Sequence, residues 1–183
     1  MSENRKRTKR RYYLNDFKIG ADGKYEYRGK LYSFGGDDRE RKRHLARLLS
    51  CCIVSLASAV LSEVFPRDNR PEGVFDFPVI FWLIQFLFAF LSVWATARIV
   101  FSGEPLREYV YLATVRRLPK YALVCAVSSA LTLIAWIVYL LIFGFREASV
   151  AFDLVRPVGS AICCAVSFVL FLASKTDRWR EQL

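Results

Sequence analysis

Apolar residues fall into four long runs, at about Leu45–Phe65, Phe77–Phe101, Tyr121–Phe145 and Leu154–Ala173. A helix needs about 20 mainly apolar residues to cross the hydrocarbon layer of a bilayer, and each run is long enough. Lipid offers no partner to a free backbone group, so each run is predicted to be a helix. A different pattern precedes them. Over YYLNDFKIGADGKYEYRGKLYSF, residues 12–34, Tyr25 and Tyr27 share one face and Lys24 and Glu26 the other. Asp22-Gly23 is a hairpin turn signal and Arg28-Gly29 a weaker one. Two or three short strands are expected here; the alternative is a mostly disordered basic tail. Residues 1–11 are expected to be disordered in either case.

The loop SGEPLREYVYLATVRRLP, between the second and third runs, carries Pro105 as a helix start and Pro119 as a stop or restart. Leu106, Tyr109, Val110 and Ala113 form an apolar face opposite Arg107, Glu108, Tyr111 and Thr114. The expected outcome is an interfacial helix. Asp38 is the expected cap of the helix leading into the first run.

Charge sets the expected orientation. Residues 1–47 hold fifteen Arg and Lys, the region Arg98–Lys120 holds five, and the tail from Lys175 holds three. The other two loops share four: Arg67, Arg70, Arg146 and Arg156. Basic residues stay on the cytoplasmic side of short loops, so both termini are expected there. The first run begins behind a long polar head rather than within a signal-peptide distance of the start, and is expected to serve as its own uncleaved insertion signal. Short loops fit a bacterial inner (plasma) membrane.

Arg39–Arg47 packs five Arg/Lys and His44 against fourteen uncharged residues. Beside a membrane such a run holds anionic headgroups, at about 1 kcal/mol per basic residue. Arg39, Arg41, Lys42, Arg43, Arg47, Arg116 and Arg117 are the expected lipid contacts. Basic clusters alone are a weak nucleic-acid signal, and no nucleic-acid partner is expected.

The predicted fold is an all-α polytopic membrane protein: four transmembrane helices in a bundle, both ends cytoplasmic, with a small N-terminal β-hairpin or meander. The division is a tail (1–11), a head and juxtamembrane segment (12–44) and the transmembrane domain (45–183). An internal repeat is visible at an offset of 74, pairing Arg43 with Arg117, Cys51 with Cys125 and Ser55 with Ser129. The second and fourth runs are expected to open alike, on Pro78-Val79 and Pro157-Val158. Rows of small residues four apart, Ala122/Ala126/Ala130, Ser55/Ala59, Ala161/Ala165 and Gly159/Cys163, are expected to bring helices together. Trp82, Phe86, Phe90 and Trp94 make an aromatic ridge, either facing lipid or docking a partner helix.

The sequence offers little for catalysis. Five cysteines are an odd number and do not form a disulfide framework. Cys51-Cys52 and Cys163-Cys164 are vicinal, whereas a redox site needs Cys-x-x-Cys near water; packing is the expected role, with lipidation of Cys51 or Cys52 as an alternative. His44 is the only histidine, too few for a metal or haem site. Gly35-Gly36 precedes Asp37-Asp38, the wrong charge for a phosphate loop. Gln85 lies well inside the second run, and Glu63 lies near the outer end of the first. Ionisable groups in a membrane mark transport routes, but a proton-coupled carrier needs a central carboxylate that is missing here. No cofactor and no enzyme activity are expected. The leading expectation is an accessory, scaffold or regulatory subunit of a membrane assembly, bound to another membrane protein or to a second copy. The alternative is a small carrier or channel lined by Gln85 and the Ser/Thr of the first and third runs.

Overall fold

A computed structural model describes residues 17–19, 25–64, 77–143, 150–175 and 178–182. Four helices dominate: α1 (Asp38–Val64), α2 (Pro78–Ser102), α4 (Leu118–Phe143) and α5 (Val150–Lys175). Each contains a stretch long and apolar enough to cross a membrane. They close into a ring, α1 on α2, α2 on α4, α4 on α5 and α5 back on α1. Short connections between sequential neighbours favour this up-and-down arrangement.

The packing is turned inside out relative to a water-soluble bundle. Leu83, Leu87, Val127, Ile134 and Leu172 are all more than half exposed or close to it, while Ser55, Ser92, Ser129, Thr132 and Ser167 are fully buried. Lipid is as apolar as leucine, so nothing drives large apolar side chains inward. Close approach of backbones and hydrogen bonds between helices hold such a bundle instead. A close approach lies at Gly159, where a Cβ would stand 3.0 Å from Ser62 Cβ and 3.2 Å from the Ser58 carbonyl oxygen. The Gly159/Cys163 and Ser55/Ala59 rows and Ala122 and Ala126 are buried between helices. Ala161 and Ala165 are not, and Ala165 is exposed.

Helix limits differ from the apolar runs for local reasons. Asp37, rather than Asp38, opens α1: its carbonyl accepts the Arg41 N–H at 2.9 Å and its carboxylate the Asp38 N–H at 2.8 Å. The helix then passes unbroken from the charged segment into the apolar run. Pro119 sits in the first turn of α4, where a proline's missing N–H costs nothing. Phe65 and Phe145, expected to end runs one and three, lie outside the described residues.

The offset of 74 matches burial at some positions of α1 and α4, although Cys51 is half exposed and its counterpart Cys125 is buried. At an offset of 74, Ser55, Ser58 and Ser62 align with Ser129, Thr132 and Trp136, all buried. Pro78 opens α2, but Pro157 lies two turns inside α5. Matching the two Pro-Val pairs sets buried Ala89 against Phe168, which is 51% exposed, so those dipeptides are not equivalent.

The head forms its hairpin. β1 (Phe17–Ile19) pairs antiparallel with β2 (Tyr25–Tyr27), with Phe17 opposite Tyr27 and Ile19 opposite Tyr25. The pairing centres on residue 22; the turn at Asp22-Gly23 and the tail 1–11 lie outside the described residues. The third strand, β3 (Leu31–Phe34), does not extend this hairpin into a meander. It forms the middle of a second sheet, between β4 (Leu106–Arg107) and β5 (Trp179–Gln182), antiparallel to both. The expected interfacial helix is shorter than its apolar pattern: Leu106 is in β4, and α3 covers only Glu108–Ala113. Thr114, placed on the polar face by sequence, is fully buried and donates its hydroxyl to the Val110 carbonyl at 2.6 Å.

Candidate functional site

Two places gather polar side chains: a platform over one end of the bundle, and an axis through its middle. The platform is built from three distant segments. Ile99 at the end of α2, Leu106 and Val110 form its buried apolar centre, with Tyr32, Leu45 and Trp179 packed around them. Tyr32 stacks on Tyr111 at 4.0 Å, and Phe34 meets Trp179 edge-on at 5.7 Å. Glu104 fastens the parts. Its Oε1 accepts the Phe34 N–H at 2.7 Å and its Oε2 pairs with the Arg41 guanidinium. Lys30 pairs with Glu181 across β3 and β5 at 2.8 Å, and that carboxylate raises the Lys30 pKa above its ordinary value.

Arg39, Lys42, Arg43, Arg47, Arg116 and Arg117 stand exposed on this end of the molecule. Arg41 departs from that group. It turns inward onto Glu104, and both side chains are only about a fifth exposed (21% and 23%). His44, half buried ahead of the apolar run, has its pKa lowered by burial first and then by the Arg178 and Arg47 charges.

The aromatic ridge divides. A step of four residues advances about 40° around a helix, so three steps turn about 120°. Trp82 donates its indole N–H to the Ala59 carbonyl of α1 at 2.8 Å and stacks on Phe86. Phe86 packs on the buried group of Ala59, Ala89, Cys125 and Cys163. Phe90 and Trp94 face outward, 51% and 44% exposed, with the Arg98 guanidinium 5.4 Å from the Trp94 ring centre.

The axis lies where all four long helices meet. Ser55 and Ser167 share a hydrogen bond of 2.8 Å. Ser55 also reaches Cys163 Sγ at 3.3 Å, and Ser167 donates to Cys125 Sγ at 3.3 Å. The Cys125 thiol is oriented toward the Gln85 carbonyl at 3.6 Å and lies 4.0 Å from Cys163 Sγ. Gln85 is fully buried, and neither atom of its carboxamide makes a hydrogen bond of ordinary geometry. The vicinal pairs are not the units that matter here: Cys52 and Cys163 point inward while Cys51 and Cys164 sit at the half-exposed flank. The meeting of Cys125 with Cys163 was missed from sequence, although Cys125/Ser129 and Cys163/Ser167, each four apart, carry the signal. No cluster of three or more His, Cys, Asp or Glu suited to a metal occurs among the described residues.

At the opposite end Arg156 is buried, its guanidinium 4.8 Å from the Trp136 ring centre and 4.0 Å from Asp153. Glu63 is half buried near the end of α1.

No family model, no curated protein and no solved structure matches the chain.

Proposed function

We propose that this chain is a non-enzymatic accessory or scaffold subunit of a membrane assembly, its platform being the contact surface. The observation that carries the proposal is the second sheet. Segments from the head, the middle loop and the tail converge on it, and Glu104 ties it to α1. A bundle that serves only as a route or an anchor gains nothing from such a platform. β5 pairs with β3 on one side and with no strand on the other among the described residues. A free strand edge is a template for a partner's strand. The exposed basic residues beside it suit anionic headgroups, and the excess of Lys and Arg on this side supports a cytoplasmic platform, with short loops supporting a bacterial inner membrane. Phe90 and Trp94 form a lateral contact with another membrane protein or a second copy; Trp82 and Phe86 belong to the bundle itself.

Amine crosslinking in native membranes, followed by mild solubilisation and mass spectrometry, tests this. Crosslinks from Lys30, Lys42 and Lys120, all exposed, to other membrane proteins are expected. A chain that crosslinks to nothing else and moves solute when purified into liposomes overturns the proposal.

One observation favours the second reading, a small carrier: the unsatisfied Gln85 beside hydroxyls and thiols, in a place where polar groups are costly. Gln85→Leu abolishes transport if that reading is right. Under the scaffold reading it leaves partner recovery unchanged.

A further inference from the structure

The platform does not seal the ends of the long helices. Beneath it lies a partly open cavity of about 200 Å³. Leu48 of α1 and Leu118 of α4, both buried, supply an apolar floor. His44, Arg116, Lys175 and Trp179 supply the rim, and among the described residues no Asp or Glu lines the space. The charge at the mouth exceeds what the lining residues carry, because Arg47 and Arg178 act on His44 from beside it. A partly open recess with a basic rim at the end of a transmembrane bundle is complementary to an anion that reaches it from the bilayer. Trp179 fits that position too, since tryptophan collects at membrane–water interfaces. Size narrows the occupant further. Drug-sized ligands use pockets of about 300–1,000 Å³, so this one accommodates a headgroup and leaves acyl chains outside.

We propose that this cavity binds the phosphate headgroup of an anionic phospholipid, with Arg116 and Lys175 on the phosphate, the glycerol region over Leu48 and Leu118, and the chains in the surrounding bilayer. The site is distinct from diffuse attraction to a charged surface. Arg39 and Lys42 are equally exposed on α1 but do not line the cavity. The inference does not rest on the scaffold proposal and holds for a carrier as well.

The test uses the full chain in a neutral detergent, with phosphatidylglycerol or phosphatidylcholine added and retained lipid read by native mass spectrometry. Retention of phosphatidylglycerol over phosphatidylcholine is expected. Removing two charges by Arg116→Gln with Lys175→Gln lowers retention roughly 30-fold. Arg39→Gln with Lys42→Gln lowers it far less. Equal loss in both double variants, or equal retention of the two lipids by the unaltered chain, overturns the pocket. Displacement of the lipid by an equal concentration of inorganic phosphate overturns the assignment to lipid in favour of a free anion. A readout without substitutions comes from His44, the sole histidine. Its imidazole NMR titration midpoint rises with phosphatidylglycerol and stays put with phosphatidylcholine; no rise with either refutes the proposal.

Discussion

Glu104 is the most exposed to challenge of the platform's fastenings. Replacing it with Ala removes the acceptor of the Phe34 N–H and the partner of Arg41 at once. The magnitude follows from burial. Exposed ion pairs contribute up to about 1 kcal/mol, and breaking a fully buried one costs about 3–5 kcal/mol. At about one-fifth exposure the Arg41–Glu104 coupling should lie between, at about 1–2 kcal/mol. Losing the backbone acceptor adds about 1 kcal/mol, so Glu104→Ala should cost about 2–3 kcal/mol of platform stability. Glu104→Gln keeps an oxygen for Phe34 and should cost only the ionic part. Hydrogen exchange at the Phe34 amide reads this directly, because local opening of an amide costs less than global unfolding. Exchange should quicken roughly 30- to 140-fold in Glu104→Ala, at about 1.4 kcal/mol per tenfold. The cycle is completed by Arg41→Ala and the double variant. If the two single effects add to within about 0.3 kcal/mol, the guanidinium and carboxylate are not coupled and the account of the platform is wrong.

Three further outcomes are expected. Gly159→Ala should lower thermal stability by about 1–3 kcal/mol through overpacking against Ser62 and Ser58, whereas Ala165→Leu on the exposed flank should stay within about 0.5 kcal/mol; equal effects refute the close contact of α1 and α5. N-ethylmaleimide should label at most Cys51 and Cys164 in the folded chain and all five thiols after denaturation; an adduct on Cys125 or Cys163, read by peptide mass spectrometry, would show that the axis opens. Because the fold disfavours the His44 imidazolium, the folded platform binds fewer protons than the unfolded one around the ordinary value of 6.5. Its stability should be full above that value and decline as pH falls through it, and His44→Gln should flatten the change between about pH 7.5 and 6; an unaltered slope in the variant contradicts the assignment.

The four long helices were legible because a run of twenty apolar residues has few other fates. The hairpin β1–β2 was legible because its turn signal is local. The second sheet was not. Its strands span two to four residues, too short for alternation to show, and its pairings link residues more than seventy positions apart. WREQ at 179–182 looks like a solvated tail until Phe34 and Ser33 stand opposite it. Arg41 could not be told from Arg39 or Arg43 by type or spacing; its partner lies sixty-three residues away. The winding of the ridge follows from its four-residue spacing, but where along it the inward-facing part ends depends on where α1 lies, which the spacing does not show. The polar axis was half visible: Gln85 and the Ser/Thr of the first and third runs stood out, while the cysteines read as small packing residues, which they also are.

The order of synthesis gives the second sheet one more meaning. Its central strand emerges from the ribosome first, and its last strand, Trp179–Gln182, emerges after every long helix has been made. The β5 side of β3 therefore has no partner strand until the last residues of the sheet have been made. Closure of the sheet requires the whole chain, and a chain halted before Trp179 lacks the strand that pairs with Leu31–Phe34.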